Sequence, residues 1–227
     1  MPNPIKLSFK TEILPIALLL TSLVASFYFY ANFPEQVPTH WNYRGEIDDY
    51  SPKTFAAFFF PALNAGLYLL FLAIPYIDPK KDRYVEFSKV YHIFKDILIA
   101  VLTLIYFYVG LAGMGYDLSI NYIIPPAIGI LFMVMGNYMG KIKSNWFFGI
   151  RTPWTLSSEE VWNKTHRLGG KLFMLLGLFL ILGAFLPNQQ LYWIIFMAGI
   201  VIIALVPIIY SYWLYKKVKS NNSKTPL

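Results

Sequence analysis

The first segment with side chains that could do chemistry is FPEQVPTHWNYRGEIDDYSPK, residues 33–53. It contains His40 and Asp48, an imidazole and a carboxylate that could in principle form a general acid/base pair. No nucleophile or metal cluster accompanies them, so an enzyme is the weakest hypothesis. A docking surface for a ligand fits the segment better. The candidate residues for it are His40, Trp41, Asn42, Gly45, Asp48 and Tyr50. Equally, Trp41 and Tyr50 could be interfacial anchors of a well-formed loop.

The second such segment is KSNWFFGIRTPWTLSSEEVWNKTHRLGGK, residues 143–171. Tryptophans beside arginine and histidine are typical of a folded loop at a membrane face, where rings lie at headgroup level. Five of its side chains could bind a lipid phosphate or a protein partner: Arg151, Trp154, Trp162, His166 and Arg167. Alternatively, the two arginines are topology determinants that pair with Glu159 or Glu160.

Metal and thiol chemistry have little support. The chain has no cysteine, which excludes disulfides, thiolate sites and cysteine nucleophiles. Its three histidines are too few and too scattered for a metal site. We therefore predict no metal and no cofactor.

The elements that must position these segments are transmembrane helices. The chain is 57% hydrophobic and only 14% charged, whereas soluble domains carry roughly 25% charged residues. Several apolar blocks reach the ~20 residues that cross a bilayer. We predict an all-α membrane protein with six spans: Glu12–Ala31, Thr54–Ile77, Ile93–Met114, Tyr122–Gly140, Leu172–Pro187 and Leu191–Tyr215.

The cations predict the orientation of these spans. Of the 19 Lys and Arg residues, all but Arg44 and Lys53 fall on one side of the predicted bundle. The positive-inside rule then places both termini in the cytoplasm, with the first segment outside the cell and the second inside. The net charge of +7 is assigned to topology, so direct binding to nucleic acid is not predicted.

Capping patterns predict the local structure around both segments. Ser51-Pro52 and Thr152-Pro153 each resemble an N-cap followed by a proline at the first helical position. Ser157 and Glu160 fit a capping box. We predict that this box starts a short amphipathic helix along the inner membrane surface, between spans four and five. It would end near Gly169 and carry Trp162 and His166 on one face.

Two further observations bear on transport. Asn64 and Asn137 lie within predicted spans, where they could form interhelical hydrogen bonds or line a polar cavity. The two halves of the chain have three spans each, and Ser51-Pro52 and Thr152-Pro153 occupy similar places in them. An inverted repeat of this kind is a transporter architecture, although Ser/Thr-Pro is also a common helix start.

A family resemblance adds to these inferences. The stretch GNYMGKIKSNWFFGIRTPWTLSSEEVWNKTHRLGGKLF closely resembles the SdpI family of bacterial membrane proteins. The stretch PEQVPTHWNYRGEIDDYSPK resembles the small membrane domain of unknown function often found at the front of those proteins. We therefore divide the chain into an N-terminal two-helix domain, residues 1–90, and an SdpI-like four-helix region, residues 91–227. The residues that match the family motif are Asn137, Asn145, Gly149, Arg151, Thr152, Pro153, Trp154, Thr155, Trp162, His166 and Gly170.

The resemblance implies toxin immunity rather than catalysis. It suggests a secreted toxin peptide as an external partner, and a repressor sequestered at the membrane as an internal one. Membrane lipids are the remaining expected partner. We predict an immunity protein that could also transduce a signal, and a small-molecule or lipid transporter built on the inverted repeat is the alternative.

Overall fold

Six long apolar helices form the structure, a computed structural model that describes residues 5–222. In chain order the helices and strands are α1 (Phe9–Asn32), β1 (Gln36–Trp41), β2 (Ile47–Pro52), α2 (Lys53–Ile77), a 3₁₀ helix (Lys81–Phe87), α3 (Ser88–Gly113), α4 (Ile120–Met139), α5 (Pro153–Ser157), α6 (Glu159–Gly183) and α7 (Gln189–Asn222). All except the strands, the 3₁₀ helix and the one-turn α5 are long and apolar enough to span a membrane. The predicted all-α membrane protein with six spans is thus confirmed.

Span five was predicted wrongly at its start. We expected Leu172–Pro187, but α6 begins at Glu159 and runs without a break to Gly183. The separate amphipathic helix ending near Gly169 therefore does not exist, because its residues are the first turns of α6. The Gly169-Gly170 pair does not end the helix. A side chain on Gly170 would collide with the carbonyl oxygen of Gly136 in α4, so the glycine serves close helix packing instead.

Two of the predicted caps were also wrong, and one was right. Ser158, not Ser157, caps α6 by accepting a hydrogen bond from the Val161 amide. Ser51 lies in β2, where its hydroxyl is 2.8 Å from that of Thr39. Thr152 does cap α5, and it forms a capping box with Thr155.

A β-hairpin joins α1 to α2, which the sequence analysis did not predict. Its strands pair antiparallel, and the Asn42 side chain closes the turn by accepting from the amides of Arg44 and Glu46 at 2.8 and 3.1 Å. Gly45 supplies the turn residue with φ +83°. A two-stranded hairpin is marginal alone, so its packing on the helices holds it: Val37 is fully buried.

The helices pack as two connected groups. Helices α1, α2 and α3 contact one another, α4 packs along α6, and α6 packs against α7, while α3 also contacts α4. Tyrosine hydroxyls tie α3 to α2, since Tyr91 donates to the Phe71 carbonyl and Tyr106 to the Ala57 carbonyl. The division of the chain at residue 90 remains a prediction. These contacts leave the hairpin at one end of the bundle, which we call the hairpin face. The loops flanking α5 lie at the other end, which we call the loop face.

Candidate functional site

Asn145 organises the loop face. Its amide nitrogen donates to the carbonyls of Lys143 and Phe148, at 2.9 and 3.0 Å. Its carbonyl oxygen accepts from the amides of Phe147 and Phe148, at 2.9 and 2.6 Å. The side chain is fully buried and substitutes for backbone partners that the turn lacks. Asn145 thus fixes the path of the chain between α4 and α5.

Trp162 and His166 hold this loop against α6. They stack on one face of the helix as predicted, with ring centroids 4.0 Å apart, and both are fully buried. The indole of Trp162 donates to the Ile142 carbonyl at 2.7 Å. The Ile150 amide donates to Nε2 of His166 at 2.9 Å, so Nδ1 carries the hydrogen and donates to the Trp162 carbonyl at 2.8 Å. His166 is therefore a neutral clamp, and Trp162 is not an interfacial ring.

Gly149 is required by the same clamp. It has φ +105°, a conformation that L side chains rarely adopt. A Cβ at this position would collide with Nε2 of His166. The glycine lets the loop backbone approach the imidazole closely enough for the Ile150 hydrogen bond.

Thr152, Pro153 and Thr155 form the next turn. The hydroxyl of Thr155 donates to the Ile150 carbonyl at 2.9 Å, and that of Thr152 lies 3.0 Å from the hydroxyl of Ser211 in α7. Both threonines are buried. Thr152 connects the loop to α7 and Thr155 connects the turn to the loop, so both threonines support the loop face from inside and are not part of its exposed surface.

Asp78 is a residue that the sequence analysis missed. It is buried and accepts from the Lys80 amide at 2.7 Å, the Tyr84 hydroxyl at 2.8 Å and the Trp146 amide at 3.0 Å. It joins the loop after α2 to the loop after α4. The one signal available was a lone acidic residue opening the basic run DPKK.

The predicted arginine pairings were wrong. Glu159 receives two hydrogen bonds from Arg83, at 3.0 and 2.5 Å, and Glu160 pairs with Lys164 at 2.6 Å. Arg151 donates instead to the Trp146 carbonyl at 2.7 Å. Since Arg83 lies in the 3₁₀ helix, its ion pair with Glu159 is a second link between the segment that follows α2 and the segment that follows α4.

A minority of the motif residues remain at the surface. Asn137, Gly149, Arg151 and Pro153 are exposed. Two neighbours outside the motif are exposed as well, Arg167 and Trp146, the latter to 49%. Trp154 is half-buried and packs on Tyr212 of α7 at 4.9 Å. The exposed cations and rings form the accessible part of the loop face.

On the hairpin face, His40 and Asp48 meet but enclose no site. Nδ1 of His40 lies 2.5 Å from the Asp48 carboxylate, and the two side chains are 67% and 41% exposed. The pair is therefore within hydrogen-bond reach, as an enzyme would need, but it lies on an open strand surface rather than in a pocket. An exposed pair of this kind contributes little stability.

The other hairpin candidates divide between packing and exposure. Trp41 packs edge-on against Tyr108 of α3, at 5.3 Å, and a Cβ on Gly45 would lie 2.9 Å from the side chain of Asn121 in α4. Asn42 closes the turn, while Tyr50 is 53% exposed. An open cleft of about 470 Å³ lies beside the turn, lined by Tyr43, Arg44, Pro187, Asn188, Gln189 and Gln190.

The features that suggested a transporter are not reproduced. Asn64 is buried and donates to Thr103 at 3.2 Å, between α2 and α3, whereas Asn137 is exposed on α4. The two asparagines therefore do not line a common cavity. Ser51-Pro52 is part of a strand and Thr152-Pro153 starts a helix, so the matched positions of the proposed repeat have different structures.

Comparisons with known proteins agree with the two motifs. Residues 141–211 match the model of the SdpI/YfhL protein family, and residues 17–65 match that of a domain of unknown function, DUF1648. The chain is 27% identical over 213 residues to "Immunity protein SdpI" of Bacillus subtilis (strain 168), covering 93% of this chain and 99% of that protein. No solved structure matches. The matches confirm the resemblance to the SdpI family, with a DUF1648 domain at the front of the chain.

Proposed function

We propose that this protein confers immunity to a secreted, membrane-active toxin peptide in the bacterial plasma membrane. The observation that carries the proposal is the similarity to Immunity protein SdpI over nearly the full length of both chains. Such coverage includes both faces of the bundle, and not only one shared motif. No catalytic step is part of the proposal.

The hairpin face is the proposed site of contact with the peptide. It projects exposed polar and aromatic side chains, and its cleft combines Arg44 and Tyr43 with three amide side chains. A cleft with hydrogen-bond donors, acceptors and one cation is suited to an extended peptide, whose backbone offers both kinds of group. Under the positive-inside prediction this face is external, where a secreted peptide arrives.

The loop face is the proposed contact for a cytoplasmic regulator. Its exposed residues, Trp146, Phe147, Arg151 and Arg167, surround a turn that buried hydrogen bonds hold rigidly. Aromatic rings and arginines on a rigid support are enriched where proteins bind each other. Repressor sequestration would use this surface, and Trp154 beside α7 would contact lipid headgroups.

Survival of a sensitive Gram-positive strain challenged with the Sdp-type peptide tests the function. Cells that express the wild-type chain should survive at least ten-fold better than cells without it. Arg44→Ala should lose most of this protection, because Arg44 lines the cleft. Lys53→Ala is the matched control, since Lys53 is the other cation of this face but pairs with Glu35 at the base of the hairpin, at 2.7 Å.

All variants are compared at equal membrane levels, measured by immunoblot. Trp41→Ala is added to ask whether the packed ring matters, and Arg151→Ala should protect as wild type does if the loop face serves only a regulator. Absence of protection by the wild-type chain would contradict the proposed function. If Arg44→Ala and Lys53→Ala protect equally well, the cleft is not the site that contacts the peptide.

A further inference from the structure

Five polar side chains meet between three helices, near the end of the bundle opposite the hairpin. They lie on three helices: Glu12 on α1, Tyr68 on α2, and His92, Lys95 and Asp96 on α3. Glu12 and Lys95 are only 8% and 1% exposed. Neither the proposed immunity function nor the family motif involves this cluster.

The cluster contains one strong ion pair. The ammonium of Lys95 lies 2.5 Å from Oε2 of Glu12 and also donates to the Thr11 carbonyl at 3.3 Å. The Tyr68 hydroxyl donates to the same Glu12 oxygen at 3.0 Å. Two donors thus meet on Oε2 of Glu12, the Lys95 ammonium and the Tyr68 hydroxyl, and they fix α1 to α3 and α2.

The rest of the cluster is not satisfied. Three buried atoms have no hydrogen-bond partner: Oε1 of Glu12, Nδ1 of His92 and Oδ1 of Asp96. The first two face each other at 3.7 Å, and Oδ1 of Asp96 is 3.8 Å from the Lys95 ammonium. Buried polar atoms are normally paired, and a proton on Nδ1 of His92 would give these two facing atoms a donor and an acceptor.

The charges lead to the same conclusion. Glu12 and Asp96 as carboxylates, with Lys95 as ammonium and His92 neutral, leave one net negative charge within the bundle. An uncompensated charge is unfavourable in a buried site, and more so where the surroundings are apolar. One bound proton makes the cluster neutral, whether the imidazole or the Asp96 carboxyl carries it.

We propose that Glu12, His92, Lys95 and Asp96 form a site that binds one exchangeable proton. With the proton on His92, Nδ1 donates to Oε1 of Glu12, and with the proton on Asp96, the carboxyl is neutral. Because the groups interact, the proton belongs to the cluster as a unit. The groups that face Glu12 are Tyr68 from α2 and the three titratable residues of α3. The Thr11 carbonyl accepts from Lys95, and the backbone of Lys6, before α1, accepts a hydrogen bond from His92.

Proton release would weaken the contact between α1 and α3. It restores the net negative charge and leaves Oε1 of Glu12 opposite an acceptor. Glu12 lies in the first turn of α1, and the same helix leads into the hairpin. The charge of the cluster is therefore linked to the packing of the helix that carries the hairpin face.

Proton binding can be read directly in the full chain reconstituted in lipid nanodiscs between pH 5 and 8. Imidazole ¹⁵N signals report the three histidines, which His→Gln variants identify one by one. The carboxylic acid C=O band in infrared difference spectra reports Asp96, identified with Asp96→Asn. We expect one protonation step in this range, on His92 or on Asp96, with His166 staying neutral.

Removing one negative charge should remove the need for the proton. In Glu12→Gln the step should shift to lower pH by at least one unit or disappear. In Asp96→Asn the protonation step of His92 should likewise shift to lower pH or disappear. This second variant keeps the test valid if Glu12→Gln does not fold. Glu160→Gln, an exposed carboxylate paired with Lys164, should leave the step unchanged. A wild-type cluster with neutral His92 and ionised Asp96 throughout this range, or a step unaffected by both variants, would overturn the proposal.

Discussion

Asn145 and Asn137 are the same residue type in the same motif, and the structure gives them opposite environments. Asn145 is fully buried and makes four hydrogen bonds to the loop backbone. Asn137 is exposed on α4, although it lies within a span. The motif therefore combines residues that build the loop face with residues that are free to make contacts. His166 and Gly149 belong to the first kind.

This contrast predicts a difference in stability. Asn145→Ala should lower the free energy of unfolding by about 2–3 kcal/mol, because it leaves buried backbone groups without partners. Asn137→Ala should change it by less than about 0.5 kcal/mol, as for surface substitutions generally. Thermal unfolding in detergent, followed by tryptophan fluorescence, measures both. Equal stability of the two variants would mean that the Asn145 turn is not required for the fold.

At the scale of the helices, glycines determine how α4 and α6 pack. Gly136 faces Gly170, and Gly129 faces Gly177, so the backbones approach closely at two levels one heptad apart. A Cβ on Gly170 would lie 2.5 Å from the Gly136 carbonyl oxygen. Small residues allow such close contact between helices in membranes. Because α6 also carries Trp162 and His166, this packing places the clamp under the loop.

The helix pair yields a prediction of its own. Gly136→Ala and Gly170→Ala should each destabilise the protein by about 1–3 kcal/mol, because the added methyl group meets rigid backbone. Gly66→Ala on α2 is the control, since a Cβ there meets nothing within 4 Å. Thermal unfolding in detergent is again the measurement. If both alanine variants unfold at the wild-type temperature, α4 and α6 can move apart without lowering the free energy of unfolding, and the prediction is wrong.

For the whole molecule, the distribution of Lys and Arg residues and the arrangement of the helices both distinguish the hairpin face from the loop face. Arg44 and Lys53 lie in the hairpin and at the start of α2, and the other end of the bundle carries the basic residues of the second polar segment, in the loop after α4 and in the first turns of α6. The six spans place the hairpin face and the loop face on opposite sides of a membrane. The orientation itself, with the hairpin outside, is a prediction from the positive-inside rule.

Cysteine labelling tests that orientation, because this sequence has no cysteine and the purified wild-type chain should carry no label. In intact cells, a membrane-impermeant maleimide should label Arg44→Cys but not Lys219→Cys. After the cells are permeabilised, both positions should react. Labelling of Lys219→Cys from outside, with Arg44→Cys protected, would invert the topology and place the hairpin in the cytoplasm.

Composition and the length of the apolar blocks alone determined the class of the protein and its six spans, with span five misplaced at its start. The resemblance to the SdpI family came from the two motifs instead. Apolar blocks long enough to cross a bilayer have one stable solution, the helix, because lipid offers no partner to the backbone. The Thr152 cap and the Trp162–His166 face were likewise predictable, since both depend on neighbours within one turn.

Only the tertiary structure decided which of the polar residues are buried and what they contact. Asp78 and Trp146 are 68 residues apart, Arg83 and Glu159 are 76 apart, and Lys95 and Glu12 are 83 apart. No local pattern encodes such pairs, because they depend on how the helices are placed against one another. The continuous α6 has the same origin: close packing on Gly136 keeps Gly169-Gly170 helical, where local propensity predicts an end.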